Sequence, residues 1–342
     1  MIPYPEGILQ TTLMAALLIA AVINAVHQAE IIAHKTGEPF GTLILAVSVT
    51  IIEVALIVSI MLSAGVGGEL IARDSVFAAI MIVMNGVIGL SIFLGGLRHR
   101  ELSFRIEGTN SGLAVLIALA ILTLVIPNFT STPGPTFTDS QLILAGVLSL
   151  ALYGTYVFIQ TIRHRSYFLP HESSDLSDSD MSKTDTANTP STLKTLLSLV
   201  FLIVSLIAVV LLAKALSPSI ESAIAQAGAP RSVVGIAIAM LVLLPEGVSA
   251  VKAALNNKLQ TSLNLSIGSA LASIGLTIPA VALVSVGFNM PLSLGVNALG
   301  MTFLCLTFLL SILTIAIGRA TVLQGAVHLV VFAAYLFLSL VP

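Results

Sequence analysis

Apolar residues run through this chain in long blocks, not in the alternation of a strand or the one-sided stripe of a surface helix. Ten blocks stand out, at 8–32, 39–62, 75–97, 112–126, 141–162, 193–216, 233–255, 263–286, 292–317 and 322–340. A helix needs about 20 apolar residues to cross a hydrocarbon core about 30 Å thick. The pattern therefore predicts an all-α polytopic membrane protein with about ten transmembrane helices. Between the fifth and sixth blocks lies a long polar stretch rich in Ser, Asp and Thr. It predicts a first five-helix repeat over 1–162, an acidic cytoplasmic linker over 163–192 and a second five-helix repeat over 193–342. The linker holds Glu172, Asp175, Asp178, Asp180 and Asp185 without apolar periodicity, a composition typical of disorder.

Two blocks carry a carboxylate in their middle: Glu53 within 37–62, and Glu246 within 232–255. Placing a charge at the bilayer centre costs roughly 2.5–3.5 kcal/mol on insertion scales, so each acid needs a reason to be there. Five spans is an odd number, so the second half enters the membrane in the orientation opposite to the first. That is the inverted-repeat plan of secondary transporters, whose sites lie near the midplane. Both glutamates fall in the second span of their half, and a pseudo-two-fold axis brings them together. Facing carboxylates suit a cation or protons.

Composition narrows the class further. Hydrophobic residues make up 57% and charged residues 9%, with a mean hydropathy of +1.07. Soluble domains carry about 25% charged residues, so the bilayer is the expected partner. The formal net charge of −2 points away from nucleic acid. Cys305 is the lone cysteine and forms no internal disulfide. No positive stretch precedes the first block, so no cleavable signal is expected. Lys and Arg concentrate in alternate loops: Lys35, Arg98, Arg100, Arg105, Arg163, Arg165, Lys183, Lys194, Lys252, Lys258 and Arg319 fall on one side, and Arg73, Lys214 and Arg231 on the other. Cytoplasmic loops retain positive charge. The expectation is a multi-pass inner-membrane protein with both termini outside and the acidic linker in the cytoplasm.

The motifs resemble those of the cation/proton exchanger branch of the calcium/cation antiporter superfamily, and most of all its bacterial sodium (potassium, calcium):proton antiporters. The string GEPFGTLILAVSVTIIEVALIVS around Glu53 is the most specific part. Ala29 to His34 is similar to the helix that precedes the first motif, and Glu246 with Asn257-Lys258 to the second. Gly268-Ser269 and the run from Gly318 to Gly325 complete the likeness. The resemblance implies a cation:proton antiporter exporting Na+, K+ or Ca2+ by alternating access. It implies no cofactor beyond the transported ions, and Glu53 and Glu246 as the cation and proton ligands.

The departures matter as much. Calcium:proton exchangers of this branch mostly carry a Gly-Asn pair before each motif glutamate; Thr50 and Leu243 stand at the Asn positions here, and Ala272, with Ser273 beside it, replaces a later Gln. Calcium takes 6–8 oxygens, and two carboxylates supply at most four. The set favours monovalent ions or a partly hydrated divalent one. Supporting candidates are Ser48 and Thr50 one turn before Glu53, Asn85 and Ser269 in the helices after each motif, Ser273, Asn257, and Pro245, which frees a backbone carbonyl. Gly86, Gly89, Gly95, Gly96, Gly268 and Gly275 are read as helix-packing positions. Glu30 is a gate or entry candidate. With His27 and His34 it also has acceptable metal-ligand spacing, which leaves an intramembrane metalloenzyme as one rival reading and a passive cation channel as the other. His328 is expected to be a satisfied packing residue.

Overall fold

The computed structural model describes residues 7–36, 40–63, 68–168, 191–226, 230 and 232–341. Most of the linker, 169–190, and the side chains of Glu30 and His34 lie outside the described residues. The ten expected helices are all present. They are α1 (Ile8–Thr36), α2 (Phe40–Ser63), α3 (Gly68–His99), α4 (Ile106–Phe129) and α5 (Asp139–Arg163) in the first half. The second half holds α6 (Thr192–Gln226), α7 (Ser232–Leu255), α8 (Leu259–Phe288), α9 (Ala298–Ile315) and α10 (Val322–Leu340). Two short strands, β1 (Glu101–Ser103) and β2 (Arg319–Thr321), pair antiparallel between helices.

The ninth span differs from its expected bounds. Residues 290–297 are not helical, because this stretch is held by other partners: the Val296 N–H donates to the Leu124 carbonyl at 2.9 Å and the Gly295 N–H to Pro135 at 3.0 Å. Helix α9 begins only where the Asn297 side chain accepts from the Gly300 N–H at 2.8 Å. Side-chain acceptance at this position satisfies a backbone donor that a helix start leaves orphaned.

The two halves repeat their packing. Helix α3 packs on α10 as α8 packs on α5, and α3 packs on α7 as α8 packs on α2. Both α5 and α10 open with a reciprocal Thr-x-x-Gln cap, Thr138 with Gln141 and Thr321 with Gln324. Two antiparallel clasps follow the same rule. At one end β1, between α3 and α4, pairs with β2, between α9 and α10; at the other Thr136, between α4 and α5, pairs with Ser293, between α8 and α9. Exchanging the halves turns one clasp into the other, as an inverted repeat requires.

Helices α3 and α8 form the centre, with 72% and 61% of their apolar windows buried, against 22% for α1 and 28% for α6. Leu13, Leu17, Leu196 and Val200 on those outer helices are exposed where lipid tails would meet them. Close approach at the centre depends on small residues. A Cβ on Gly89 would stand 2.9 Å from His328 Cβ, on Gly96 2.9 Å from the Val322 nitrogen, and on Gly275 2.8 Å from Tyr153 Cβ. Gly86 and Gly95 are similarly crowded. Gly268 is the exception, with nothing within 4 Å of that position.

Candidate functional site

Glu53 on α2 and Glu246 on α7 are both buried, 2% and 5% exposed. One helix serves both. On α8, Ser273 Oγ donates to Glu53 Oε1 at 2.6 Å, and Ser269 Oγ donates to Glu246 Oε2. Positions 269 and 273 are one turn, about 6 Å of helix rise, apart on the same face, so neighbouring hydroxyls of one helix hold the two carboxyl groups. The ion pairs Arg73–Asp74 and Arg319–Glu101 lie elsewhere, and neither reaches these acids. Each carboxylate accepts from one serine hydroxyl and, among the described residues, has no ion-pair partner, so most of its lone pairs are left over.

The α7 segment that presents Glu246 carries Pro245 inside an unbroken helix. Proline has no N–H to donate, so the Leu241 carbonyl one turn back loses its usual partner. Ser48 and Thr50 are buried on the stretch of α2 leading to Glu53. Thr50 also borders an apolar cavity of about 790 Å³ between α2, α6 and α8, whose walls include Val54, Val58, Ala280 and Val284.

Two of the expected site residues sit elsewhere. Asn257 is exposed in the turn between α7 and α8 with φ of 59°, a left-handed conformation that asparagine tolerates better than most residues. Eleven residues after Glu246 it shapes the turn and does not approach the carboxylates. Asn85 is buried but committed to a different network. Its Nδ2 donates to Thr307 Oγ1 at 2.8 Å, and its Oδ1 lies 3.1 Å from His328 Nδ1. His328 Nε2 lies 3.1 Å from Thr314 Oγ1. Since the Asn85 amide donates to Thr307, its oxygen accepts, which places the ring proton on Nδ1 and leaves Nε2 to accept from Thr314. His328 is thus a satisfied packing residue, as its place in an apolar span suggested. The sequence reading missed this network; its signal was three further polar residues, Thr307, Thr314 and His328, within two apolar spans.

Asn85 lies inside a π-helical stretch, Ile82–Val87. Such a wide turn changes the facing of the residues beyond it, and Val87 at its end packs against Gly247, next to Glu246. The side chains of Glu30 and His34 fall outside the described residues, and His27 is exposed on α1. Among the described residues no group of three or more His, Cys, Asp or Glu side chains could hold a metal ion.

The chain is similar to known proteins along most of its length. The family model described as sodium/calcium exchanger protein matches residues 7–162 and again 197–341. A "putative ionic transporter y4hA" of Sinorhizobium fredii is 49% identical over 340 residues, covering 99% of this chain and 90% of the relative. The "sodium-potassium/proton antiporter ChaA" of Escherichia coli is 36% identical, covering 93% and 85%. Among solved structures, native YfkE superposes with a TM-score of 0.74 at 20% identity, covering 98% of this chain and 92% of that one. The H+/Ca2+ exchanger CAX gives 0.72 at 16% identity, covering 98% and 82%.

Proposed function

Because the chain belongs to the sodium/calcium exchanger protein family, whose members among its relatives include cation:proton antiporters, we propose that it is a secondary antiporter exporting Na+, K+ or Ca2+ from the cytoplasm in exchange for protons. The observation that carries this reading is the pair Glu53 and Glu246, buried against one hydroxyl-bearing helix, α8, with no ion-pair partner among the described residues. In one half-cycle the pair holds a cation. In the other each carboxylate takes up a proton, which neutralises it and lets the site cross between its two exposures. Because both cargoes need the same oxygens, one leaves before the other binds, and that exclusion is the coupling.

The oxygen count bears on the cargo. The carboxylates offer four oxygens, and Ser269, Ser273 and Thr50 add hydroxyls nearby. Calcium's 6–8 ligands at 2.3–2.6 Å are reached only with water or backbone carbonyls, such as that of Leu241, in the shell. Monovalent ions tolerate fewer. A tenfold proton gradient supplies about 1.4 kcal/mol per proton, and about 100 mV adds roughly 2.3 kcal/mol per net charge moved. The concentration of Lys and Arg in alternate loops supports an orientation with both termini outside and the acidic linker in the cytoplasm of a bacterial inner membrane.

The test is proton movement in everted vesicles acidified by respiration, on adding sodium, potassium and calcium in turn. Wild type dissipates the gradient with its cargo ion; Glu246→Gln and Glu53→Gln, present in equal amount, do not. Ion flux without proton movement in wild type overturns the reading and favours a channel.

A further inference from the structure

The cavity of about 790 Å³ between α2, α6 and α8 is not built for ions. Ten of its thirteen wall residues carry only hydrocarbon side chains, and Thr50, Ser59 and Lys214 are the rest. Cavities walled by hydrocarbon stay dry and accept apolar guests. The volume falls within the range of small-molecule sites, about 300–1,000 Å³. Two wall residues, Ile51 and Leu62, are 48% and 54% exposed, and Leu283, beside Val284, is 73% exposed. Across a membrane such side chains face the hydrocarbon core, so the cavity opens toward lipid tails.

Helices α2, α6 and α8 are all even-numbered crossings and run the same way, so Leu62, Lys214 and Val284, the last wall residue of each, mark one end of the cavity. From there the α2 wall extends back to Val47, about 22 Å at a rise of about 1.5 Å per residue. One leaflet of hydrocarbon is about 15 Å deep. The cavity is therefore long enough for an acyl chain that enters from its own leaflet. Lys214 stands near the end of the apolar stretch of α6, Thr192–Leu216. A lysine there lays its alkyl stem on apolar surface and carries its ammonium to the headgroup level. It is exposed, and among the described residues it has no ion-pair partner. One cation at the mouth of a hydrocarbon slot is complementary to an amphiphile with an anionic head and an apolar tail. Water finds few polar partners inside, and a metal cation meets a like charge at the entrance.

We infer that this cavity holds one acyl chain of an anionic phospholipid, whose headgroup sits on Lys214 and whose tail reaches toward Thr50. The inference does not rest on the antiporter reading, since no ion moves in it. The chain has no tryptophan, so Val54→Trp places a lone fluorophore in the cavity wall. The test holds the full chain in phosphatidylcholine vesicles containing a minor fraction of either dibrominated phosphatidylglycerol or dibrominated phosphatidylcholine, whose tails quench the fluorophore on contact. Phosphatidylglycerol is expected to bind about fivefold more tightly, the gain from one lysine near a membrane surface, and Lys214→Gln removes that preference. Leu144→Trp, 57% exposed on α5, is quenched alike by both lipids. Equal quenching of Val54→Trp by the two lipids overturns recognition of the anionic head. No quenching by either overturns the acyl chain and leaves the cavity to water or to a second copy of the protein. Wild type, which requires no substitution to be tolerated, supplies the second measurement. Native mass spectrometry in detergent with equal amounts of the two lipids is expected to show one bound phosphatidylglycerol per chain, about fivefold over phosphatidylcholine. Ala280→Phe, which fills the cavity, loses it, and Lys194→Gln, at the opposite end of α6, keeps it. Wild type with no bound phospholipid, or with equal amounts of the two, overturns the inference.

Discussion

A hydrogen bond to a charged acceptor is worth about 1.5–3 kcal/mol net, against about 1 kcal/mol between neutral groups. Ser273, donating to Glu53 at 2.6 Å, therefore stabilises the ionised form of its partner, the one that would hold a cation under the antiporter reading, more than the protonated form. Ser273→Ala is expected to raise the cation concentration for half-maximal proton release by about tenfold, with Ser273→Thr close to wild type; a cation titration in everted vesicles measures both. Asn85→Ala leaves that concentration near its wild-type value, because Asn85 bonds Thr307 and His328, away from the carboxylates. At this scale the sequence made the acids legible, since a charge inside an apolar block is conspicuous. The hydroxyl donors were less so. Ser269 and Ser273 stood beside Asn85 and Asn257 as equal candidates, and only the folded chain separates them: Asn85 bonds Thr307 and His328, and Asn257 is exposed in a left-handed turn after α7.

The α3–α10 pair shows how an element is held without charge. Gly325 sits directly against the Phe93 backbone, and Gly89 and Gly96 meet α10 in the same seam. Gly325→Val is expected to prevent assembly or lower the melting temperature sharply, as read by thermal unfolding in detergent. Gly154→Ala, where nothing lies within 4 Å, is neutral or slightly stabilising, because Ala is favoured over Gly by about 1 kcal/mol in a helix. The Asn85–His328 bond ties the same two helices through their buried middle. His328→Ala leaves the Asn85 Oδ1 and the Thr314 Oγ1 without this partner at a cost of about 1–3 kcal/mol. The double variant with Asn85→Ala loses less than the sum of the singles, which a double-mutant cycle detects. Block lengths predicted each helix but not these contacts. A glycine reads the same in sequence whether crowded, like Gly275, or open, like Gly268; which it is depends on what the partner helix brings opposite.

The whole molecule is two halves that pack through each other, not side by side. Helix α1 lies on α6, α2 on α8, α3 on α7 and α10, and α5 on α8, so the boundary between the repeats crosses most of the interior. Residues 1–168 and 191–342 made as separate chains are each expected to fail alone and to restore exchange when made together, measured by proton movement in vesicles. Recovery from either half alone would contradict that interleaving. The inverted plan was legible from an odd number of spans and two glutamates at matching places. Its confirmation in the paired clasps was not, because Thr136 with Ser293 and Leu102 with Ala320 are ordinary residues whose pairing depends on the three-dimensional return of the chain.

The unequal use of α3 and α8 bears on the protein's ancestry. If the two halves descend from one duplicated gene, their central helices began with the same duties. In this chain both carboxylates draw their hydroxyl donors from the later copy, while Asn85 of the earlier one binds α9 and α10. Under the antiporter reading, selection on ion handling would then fall on one paralogous helix and selection on assembly on the other. Among descendants of such a duplication, a change of transported ion is to be sought first in substitutions along α8, and α3 is the helix left free to diverge for the sake of its neighbours.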